Sequence, residues 1–331
     1  MIRAVLTGLG TYVPERVLSN QDLERMVDTN DEWIVSRTGI KERRLARQDE
    51  ATSDMAHQAA ERALMDAGLK ADELDFIFVA TNTPDTVFPS TAARLQASLT
   101  DRPVPGVDVQ AGCTGWIYAI QLAAAVIEAG VYRKVLVVAS DKLSSIVDYE
   151  DRTTAVLFGD GAGAIVLEAR ESSPFGVLAC YLNADGRGAE LLVQPGGGSR
   201  WPASHDTVDS RWHFLKMSGN EVFRFAVKAM PDAVEQGLKQ AGLSIADMDF
   251  LIPHQANQRI IDAAMRQFKL NACQVVKNIE RYGNTSVASI PLALDEARQE
   301  GRLKPGAVLV FAAFGAGLTW GSTVLRWGKA L

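Results

Sequence analysis

One pattern in this chain occurs twice, and a duplication restricts the fold more than any single segment does. Ala67-Gly68-Leu69, five residues, then Asp75-Phe76-Ile77 returns as Ala241-Gly242-Leu243, five residues, then Asp249-Phe250-Leu251. A helical pattern precedes each copy and a strand pattern continues it. Lys134-Val135-Leu136-Val137-Val138-Ala139 is echoed in the same way by Ala307-Val308-Leu309-Val310-Phe311-Ala312. Short apolar strings also agree by chance, but the matched helix–turn–strand order favours duplication. The chain has 331 residues, room for two domains. Two similar βα halves packed on one another are expected, covering 1–172 and 173–331, with the join at the loop-like Glu171-Ser172-Ser173-Pro174.

Helical and strand periodicities alternate, as in an α/β fold. The spacing predicts a helix over 52–67, capped by Thr52 or Ser53 and stopped at Gly68. Strands are predicted over 75–80, 134–139 and 163–168, and a helix over 89–99. Gly159-Asp160-Gly161-Ala162-Gly163-Ala164 reads as a tight turn; a strand follows it, so it is no dinucleotide fingerprint. Residues 194–210 carry turn residues without periodicity, which fits either a surface insertion or a mobile flap.

The formal net charge of -6 implies no general attraction to nucleic acid or anionic membrane. No apolar run approaches the ~18 residues of a membrane span, and Met1 to Gly8 reads as a first strand rather than an export signal. The three cysteines, Cys113, Cys180 and Cys273, are odd in number and widely spaced, against a disulfide framework or a structural zinc site. A cytoplasmic protein is the expectation.

Three residues stand out chemically. Val107-Asp108-Val109-Gln110-Ala111-Gly112-Cys113-Thr114-Gly115-Trp116 begins as a strand and ends as the first turn of a helix running to about Glu128 and stopping at Gly130. Apolar residues on several sides, from Trp116 to Ile127, mark that helix as buried. A cysteine at a helix start meets unpaired N–H groups and the positive end of the dipole, which favour a thiolate. A buried cysteine also reads as a small apolar side chain. His254 follows a strand and precedes a helix, and the carboxyl ends of strands are where α/β sheets gather ligands. His57, His205 and His213 have no companion at metal-ligand spacing. Asn284 follows Gly283 in a segment that also reads as a simple turn. Cysteine, histidine and asparagine in this order also raise a cysteine peptidase, but Gly112-Cys113-Thr114-Gly115-Trp116 lacks the local peptidase signature.

Several segments together resemble the β-ketoacyl-acyl carrier protein synthase III family. They are Asp28-Thr29-Asn30-Asp31-Glu32-Trp33-Ile34 with Arg37-Thr38-Gly39-Ile40, Phe88-Pro89-Ser90, the Cys113 segment, Phe158 to Gly163, Pro253-His254-Gln255-Ala256-Asn257, Tyr282-Gly283-Asn284-Thr285-Ser286, and Phe314-Gly315 through Gly321. The resemblance covers nearly the whole length. It implies a thiolase-like α/β fold, two duplicated βα halves in five α-β-α-β-α layers. It implies a decarboxylating Claisen condensation of a short acyl-CoA, acetyl-CoA as first guess, with malonyl-acyl carrier protein, and no metal or redox cofactor. Cys113 is the implied nucleophile; His254 and Asn284 are the implied donors to the enolate oxygen. The implied oxyanion hole is the backbone of Cys113 and Ala316, the latter where many relatives have glycine; alanine resists backbone angles that glycine accepts. Trp33, Arg37, Arg152, Gly219, Phe223 and Asn257 are implied in CoA binding. Leu143, Phe158, Leu192, Leu215 and Phe314 are implied in an acyl pocket that Phe88 caps across a homodimer interface. Arg259 is implied in binding the acidic carrier protein, with Arg224 and Lys228 as helpers or simply a solvated face. Rivals are a related condensing enzyme of secondary metabolism; a thiolase, which needs a second catalytic cysteine; and a non-catalytic acyl-CoA binding module.

Overall fold

The computed structural model describes residues 2–328. Its first sheet has five strands in the order Ile2–Tyr12, Gly161–Glu171, Lys134–Asp141, Phe76–Ala80, Gly106–Val109. The second has four, in the order Phe250–Pro253, Val308–Gly315, Thr319–Arg326, Gly176–Ala184. Phe76–Ala80 pairs parallel with Lys134–Asp141, which pairs antiparallel with Gly161–Glu171, which pairs antiparallel with Ile2–Tyr12. The second sheet repeats this scheme: Phe250–Pro253 runs parallel to Val308–Gly315, and the next two pairings are antiparallel. The sequence repeat is therefore a repeat of strand connectivity, and the chain passes from one sheet to the other between Glu171 and Gly176.

Helices fill three layers around the two sheets. Thr52–Ala67 and Thr91–Leu99 pack outside the first sheet, where Met55, Ala59, Ala63 and Leu95 meet Ile77, Val79 and Val138. Gly219–Gln240 and Gln258–Phe268 pack outside the second, where Met230, Val234 and Ile261 meet Leu251 and Val310. Gly115–Glu128 and Ser289–Gln299 lie between the sheets in the largest apolar cluster, touching both. Strands that are apolar on both faces and helices apolar on several sides leave little alternative to this stacking. Of the middle helix, Trp116, Ile117 and Ile120 are fully buried, and Trp116 meets Phe311 with ring centroids 5.3 Å apart. Leu122 departs from the expected all-round burial, being 43% exposed.

Local structure departs from the expectations at four places. The helix at 52–67 starts as expected, but its cap is Ala51, whose N–H donates to Asp54. The Thr52 and Ser53 hydroxyls donate instead to acceptors of the neighbouring loop, the Thr83 carbonyl and Asp85. The helix predicted from residue 89 begins at Thr91, with Ser90 as its side-chain cap. The small-residue run 159–164 is already strand from Gly161; a Cβ at Gly163 would lie 2.5 Å from Pro291 of the central helix layer. The long loop holds a short helix, His205–Asp209, and Trp201 and Trp212 meet edge to face at 5.2 Å.

Candidate active site

Cys113, His254 and Asn284 are far apart in sequence and line one cavity. Each reaches it from a strand end or a tight turn. Cys113 follows the strand Gly106–Val109 and precedes Thr114, the N-cap of the central helix Gly115–Glu128. Gly112 has φ +55°, and a Cβ there would come within 2.6 Å of the Ala316 nitrogen. A Cβ on Gly315 would run into the Cys113 nitrogen. Two backbone turns, one from each half of the chain, thus touch at the sulfur, and only glycine permits it. Thr319 ties them further: its hydroxyl is 2.9 Å from the Ala111 carbonyl, 3.0 Å from the Ala316 carbonyl and 3.0 Å from Thr114 Oγ1. Ala316 is absent from the positive-φ residues among those described, so alanine is accommodated there without left-handed strain; Gly317, at φ +141°, takes the unusual angle.

The helix start favours a thiolate at Cys113, and its burial opposes one. Burial pushes the Cys113 thiol up to about 12, opposed by a hydrogen bond from Ser286 and reinforced by the charge of Asp141. The helix begins two residues beyond the sulfur, at Gly115. Cys113 rests as a thiol.

His254 continues the strand Phe250–Pro253, and its N–H donates to the Ala312 carbonyl at 2.8 Å. The ring is 1% exposed, and burial pushes its pKa down to about 3, so the imidazole is neutral at pH 7. Its Nδ1 is 2.7 Å from Ser289 Oγ. Asn284 is held between Leu157 and Gly159: its N–H donates to the Leu157 carbonyl at 2.8 Å, and its carbonyl accepts from Gly159 at 3.0 Å. Gly283 before it has φ +63°, and a Cβ would meet the Leu157 oxygen at 2.8 Å. The Ser286 N–H donates to Asn284 Oδ1 at 2.8 Å, which leaves the Nδ2 hydrogens for the cavity.

Two cavities meet at Cys113. One is narrow and is lined by His254, Asn284, Gly219, Phe223, Asn257 and Phe314 among others. The other, of about 900 Å³, is lined by Leu143, Ile146, Phe158, Leu192, Leu215 and Ser286, with the Gly196–Gly198 stretch of the long loop at its wall. Of the residues expected in an acyl pocket, Phe314 lies instead in the narrow cavity, its ring 5.6 Å from that of His254, because the strand end that carries it is parallel to the strand before His254. Phe88 does not line the wide cavity of its own chain; it is 84% exposed beside Val87, which does.

Of the residues expected around CoA, Gly219, Phe223 and Asn257 line the narrow cavity, and Trp33, Arg37 and Arg152 form a cluster of their own. Arg37 and Arg152 lie 4.9 and 4.8 Å from the Trp33 ring. A Cβ on Gly219 would touch only the end of Met217, so the space beside it is open. Asn257 caps the helix Gln258–Phe268 through Oδ1, and its Nδ2 donates to the Arg37 carbonyl at 3.1 Å. Arg259, in that first turn, lies 5.2 Å over Phe223, and exposed Arg224 and Lys228 stand on the adjacent helix. Sequence reasoning missed Asn82, Asp141 and Ser289. Asn82 carried a signal, because it stands just past a strand end that the repeat pairs with that of His254.

Among the described residues no group of three His, Cys, Asp or Glu side chains is arranged to hold a metal, and no helix is long and apolar enough to cross a membrane. The family described as 3-oxoacyl-[acyl-carrier-protein] synthase III matches residues 107–186, and its C-terminal family matches 238–327. β-Ketoacyl-[acyl-carrier-protein] synthase III of Caldanaerobacter subterraneus subsp. tengcongensis is 52% identical over 99% of each chain. The crystal structure of the Thermus thermophilus β-ketoacyl-[acyl carrier protein] synthase III is 48% identical, covers 98% of this chain and 100% of its own, and superposes with a TM-score of 0.92. The priming β-ketosynthase of the R1128 polyketide pathway is 34% identical, covering 99% of this chain and 97% of its own, at a TM-score of 0.91. The chain belongs to the β-ketoacyl-[acyl carrier protein] synthase III family.

Proposed function

We propose that this protein initiates fatty acid synthesis: it takes an acyl group from a short acyl-CoA onto Cys113 and condenses it with malonyl-acyl carrier protein. The observation that carries this reading is the meeting of two cavities at one cysteine, with His254 and Asn284 on the narrow side. Pantetheine enters by the narrow passage past Gly219, and the acyl chain occupies the wide cavity. Cys113 sulfur attacks the thioester carbonyl; its proton leaves with the CoA thiolate. The oxyanion is met by the backbone N–H groups of Cys113 and Ala316, whose turns are in contact. Malonyl-carrier then loses CO₂. The enolate oxygen receives hydrogen bonds from neutral His254 and from Asn284 Nδ2, donors that do not repel the charge as a carboxylate does. The carbanion attacks the acyl-Cys113 carbonyl, Cys113 leaves as thiolate and takes up a proton, and the product is 3-oxoacyl-acyl carrier protein. The sequence needs no metal and no redox cofactor.

Trp33, Arg37 and Arg152 hold the CoA nucleotide, adenine entering between the indole and a guanidinium, while Phe223 and Asn257 line the way in. Arg259, on a chain of net charge -6, offers a local positive site to an acidic carrier. The adjacent exposed Val87 and Phe88, at 85% and 84%, support a homodimer in which Phe88 caps the acyl cavity of a second copy. The setting is the cytoplasm. A second reading, priming of a specialised pathway, has the R1128 relative in its favour, and use of malonyl-CoA in place of malonyl-carrier would select it.

Mass spectrometry after incubation with acetyl-CoA tests the reading: the Cys113 peptide gains an acetyl group, and product forms only once malonyl-carrier is added. An acyl-enzyme that persists in Cys113→Ser overturns it. Rates with acetyl-, isobutyryl- and longer acyl-CoA then define the primer, since each buried methylene contributes about 0.8 kcal/mol.

A further inference from the structure

A buried polar chain runs from the interior to the sulfur of Cys113. Asp141, at the end of the strand Lys134–Asp141, is fully buried. No Lys or Arg pairs with it among the described residues. Five neutral donors hold it instead: Thr81 Oγ1 at 3.0 Å, Asn82 N at 2.6 Å, Asn82 Nδ2 at 2.9 Å, Thr83 N at 3.1 Å and Thr83 Oγ1 at 3.1 Å. A buried carboxylate without a cation is an expensive component, and so many donors converge on it because the charge must be met. Its effect is to orient Asn82. With Nδ2 facing the carboxylate, the amide cannot flip, since Oδ1 would then face the charge. Asn82 Nδ2 lies 3.1 Å from Ser286 Oγ, with the Gly112 carbonyl more distant at 3.3 Å. Ser286 Oγ therefore accepts from Asn82, and its own proton is free for its remaining neighbour, Cys113 Sγ, at 3.4 Å. Ser286 is also one of four non-glycine residues with positive φ among those described, at +51°. That backbone angle is unfavourable for a side-chain-bearing residue and sits here beside the reacting atom.

We propose that Ser286, oriented by Asn82 and the buried Asp141, donates a hydrogen bond from its hydroxyl to Cys113 Sγ and stabilises the thiolate twice. It acts first when the sulfur attacks acyl-CoA and again when the sulfur leaves in the condensation. The proposal rests on the reading of Cys113 as nucleophile. A thioester sulfur is a poor acceptor and a thiolate a strong one, so this bond strengthens as charge develops and contributes to the transition state rather than to the resting enzyme. The need is clear from burial, which pushes the thiol up to about 12, with Ser286 the foremost opposing influence. The other titratable groups facing the sulfur are His254, neutral, on the narrow-cavity side, and Asp141, behind Asn82. Ser286 thus serves both half-reactions through different atoms: its backbone N–H fixes Asn284 for the enolate, and its hydroxyl serves the sulfur. Ser286 is a catalytic residue in this sense; Asn82 and Asp141 are positioning residues.

Ser286→Gly separates the two roles, because glycine accepts the +51° backbone and keeps the N–H that holds Asn284. Three quantities are read on the intact enzyme: the pH profile of iodoacetamide alkylation at the Cys113 peptide, acyl transfer from acetyl-CoA, and decarboxylation of malonyl-carrier. In Ser286→Gly the alkylation profile moves up by about one pH unit and acyl transfer falls about tenfold at pH 7, the scale of one hydrogen bond to a charged group. Decarboxylation changes much less than acyl transfer. Asn82→Ala moves the alkylation profile in the same direction. An unmoved profile, with or without slower acyl transfer, overturns the proposal, because a purely structural hydroxyl has no reason to act on the thiolate. Acylation elsewhere than Cys113 in the unaltered protein would instead remove the underlying reading.

Discussion

His254 Nδ1 and Ser289 Oγ are 2.7 Å apart, and both side chains are buried. Ser289 Oγ is also 3.3 Å from the Gln255 N–H, which it accepts, so its proton is free to go to Nδ1. That arrangement leaves the hydrogen on Nε2, the nitrogen that remains for the site. The strand end sets where the imidazole stands, and a serine on the central helix Ser289–Gln299 sets which nitrogen donates.

Decarboxylation is expected to be independent of pH from about 5 to 8 on account of His254. Its folded pKa of about 3 lies below the ordinary 6.5 because of burial, so the neutral form persists through that range. The same shift has a consequence for stability. The unfolded chain takes up the proton first, so stability is lost as pH falls from about 6.5 towards 3 and is fully present above. A decarboxylation profile with a midpoint near 6.5 that disappears in His254→Asn contradicts the neutral assignment.

Ser289→Ala frees the tautomer. Decarboxylation is expected to fall about tenfold while acyl transfer from acyl-CoA is largely retained, on the scale of a tautomer-fixing hydrogen bond. Equal loss in the two half-reactions would show that Ser289 supports the fold rather than the imidazole.

Asn284→Asp is expected to be more damaging to decarboxylation than Asn284→Ala. The alanine variant loses a donor to a developing oxyanion, about 10²–10³ in rate. The aspartate variant adds a negative charge where the enolate forms. The same comparison at the acyl-transfer step is expected to show a smaller difference, and stopped assays of each step distinguish the two.

Gly315→Ala and Ala316→Gly are expected to part company. A Cβ at Gly315 collides with the Cys113 backbone, so that variant loses activity and about 1–3 kcal/mol of stability. Ala316 holds no positive φ, so its replacement by glycine keeps activity within about twofold and lowers stability by about 0.4–1 kcal/mol through the unfolded state. Thermal unfolding and the condensation rate measure both.

Arg259→Glu is expected to raise KM for malonyl-carrier while sparing acyl transfer from CoA. Arg259 is exposed on the first turn of its helix, with its guanidinium 5.2 Å from the Phe223 ring. Its effect on the carrier should weaken with added salt. Equal loss with both substrates would assign it to the passage instead.

Much of this protein was legible without coordinates. The repeat at Asp75 and Asp249 foretold two matching sheets, because strand order follows from local helix–turn–strand units that fold alike wherever they occur. Cys113 and His254 stood out as residues at strand ends, but Asn284 by itself also read as a simple turn, and only the family resemblance singled out the three together. What the sequence did not show was the protonation state and the division of space. Cys113 looked like a helix-start thiolate, yet desolvation by the surrounding layers makes it a thiol. Phe314 looked like pocket wall for the acyl chain, yet the parallel pairing of its strand with that of His254 sets it beside the imidazole. Ser286 was visible only as a neighbour of Asn284; that it also touches the sulfur depends on Asp141 and Asn82, which approach from other strand ends. Residue types and their local spacing are properties of the chain and marked which groups are candidates for chemistry. Burial, tautomer and hydrogen-bond direction depend on segments far apart in the chain, 204 positions for Asn82 and Ser286, and only packing of the two halves decides them.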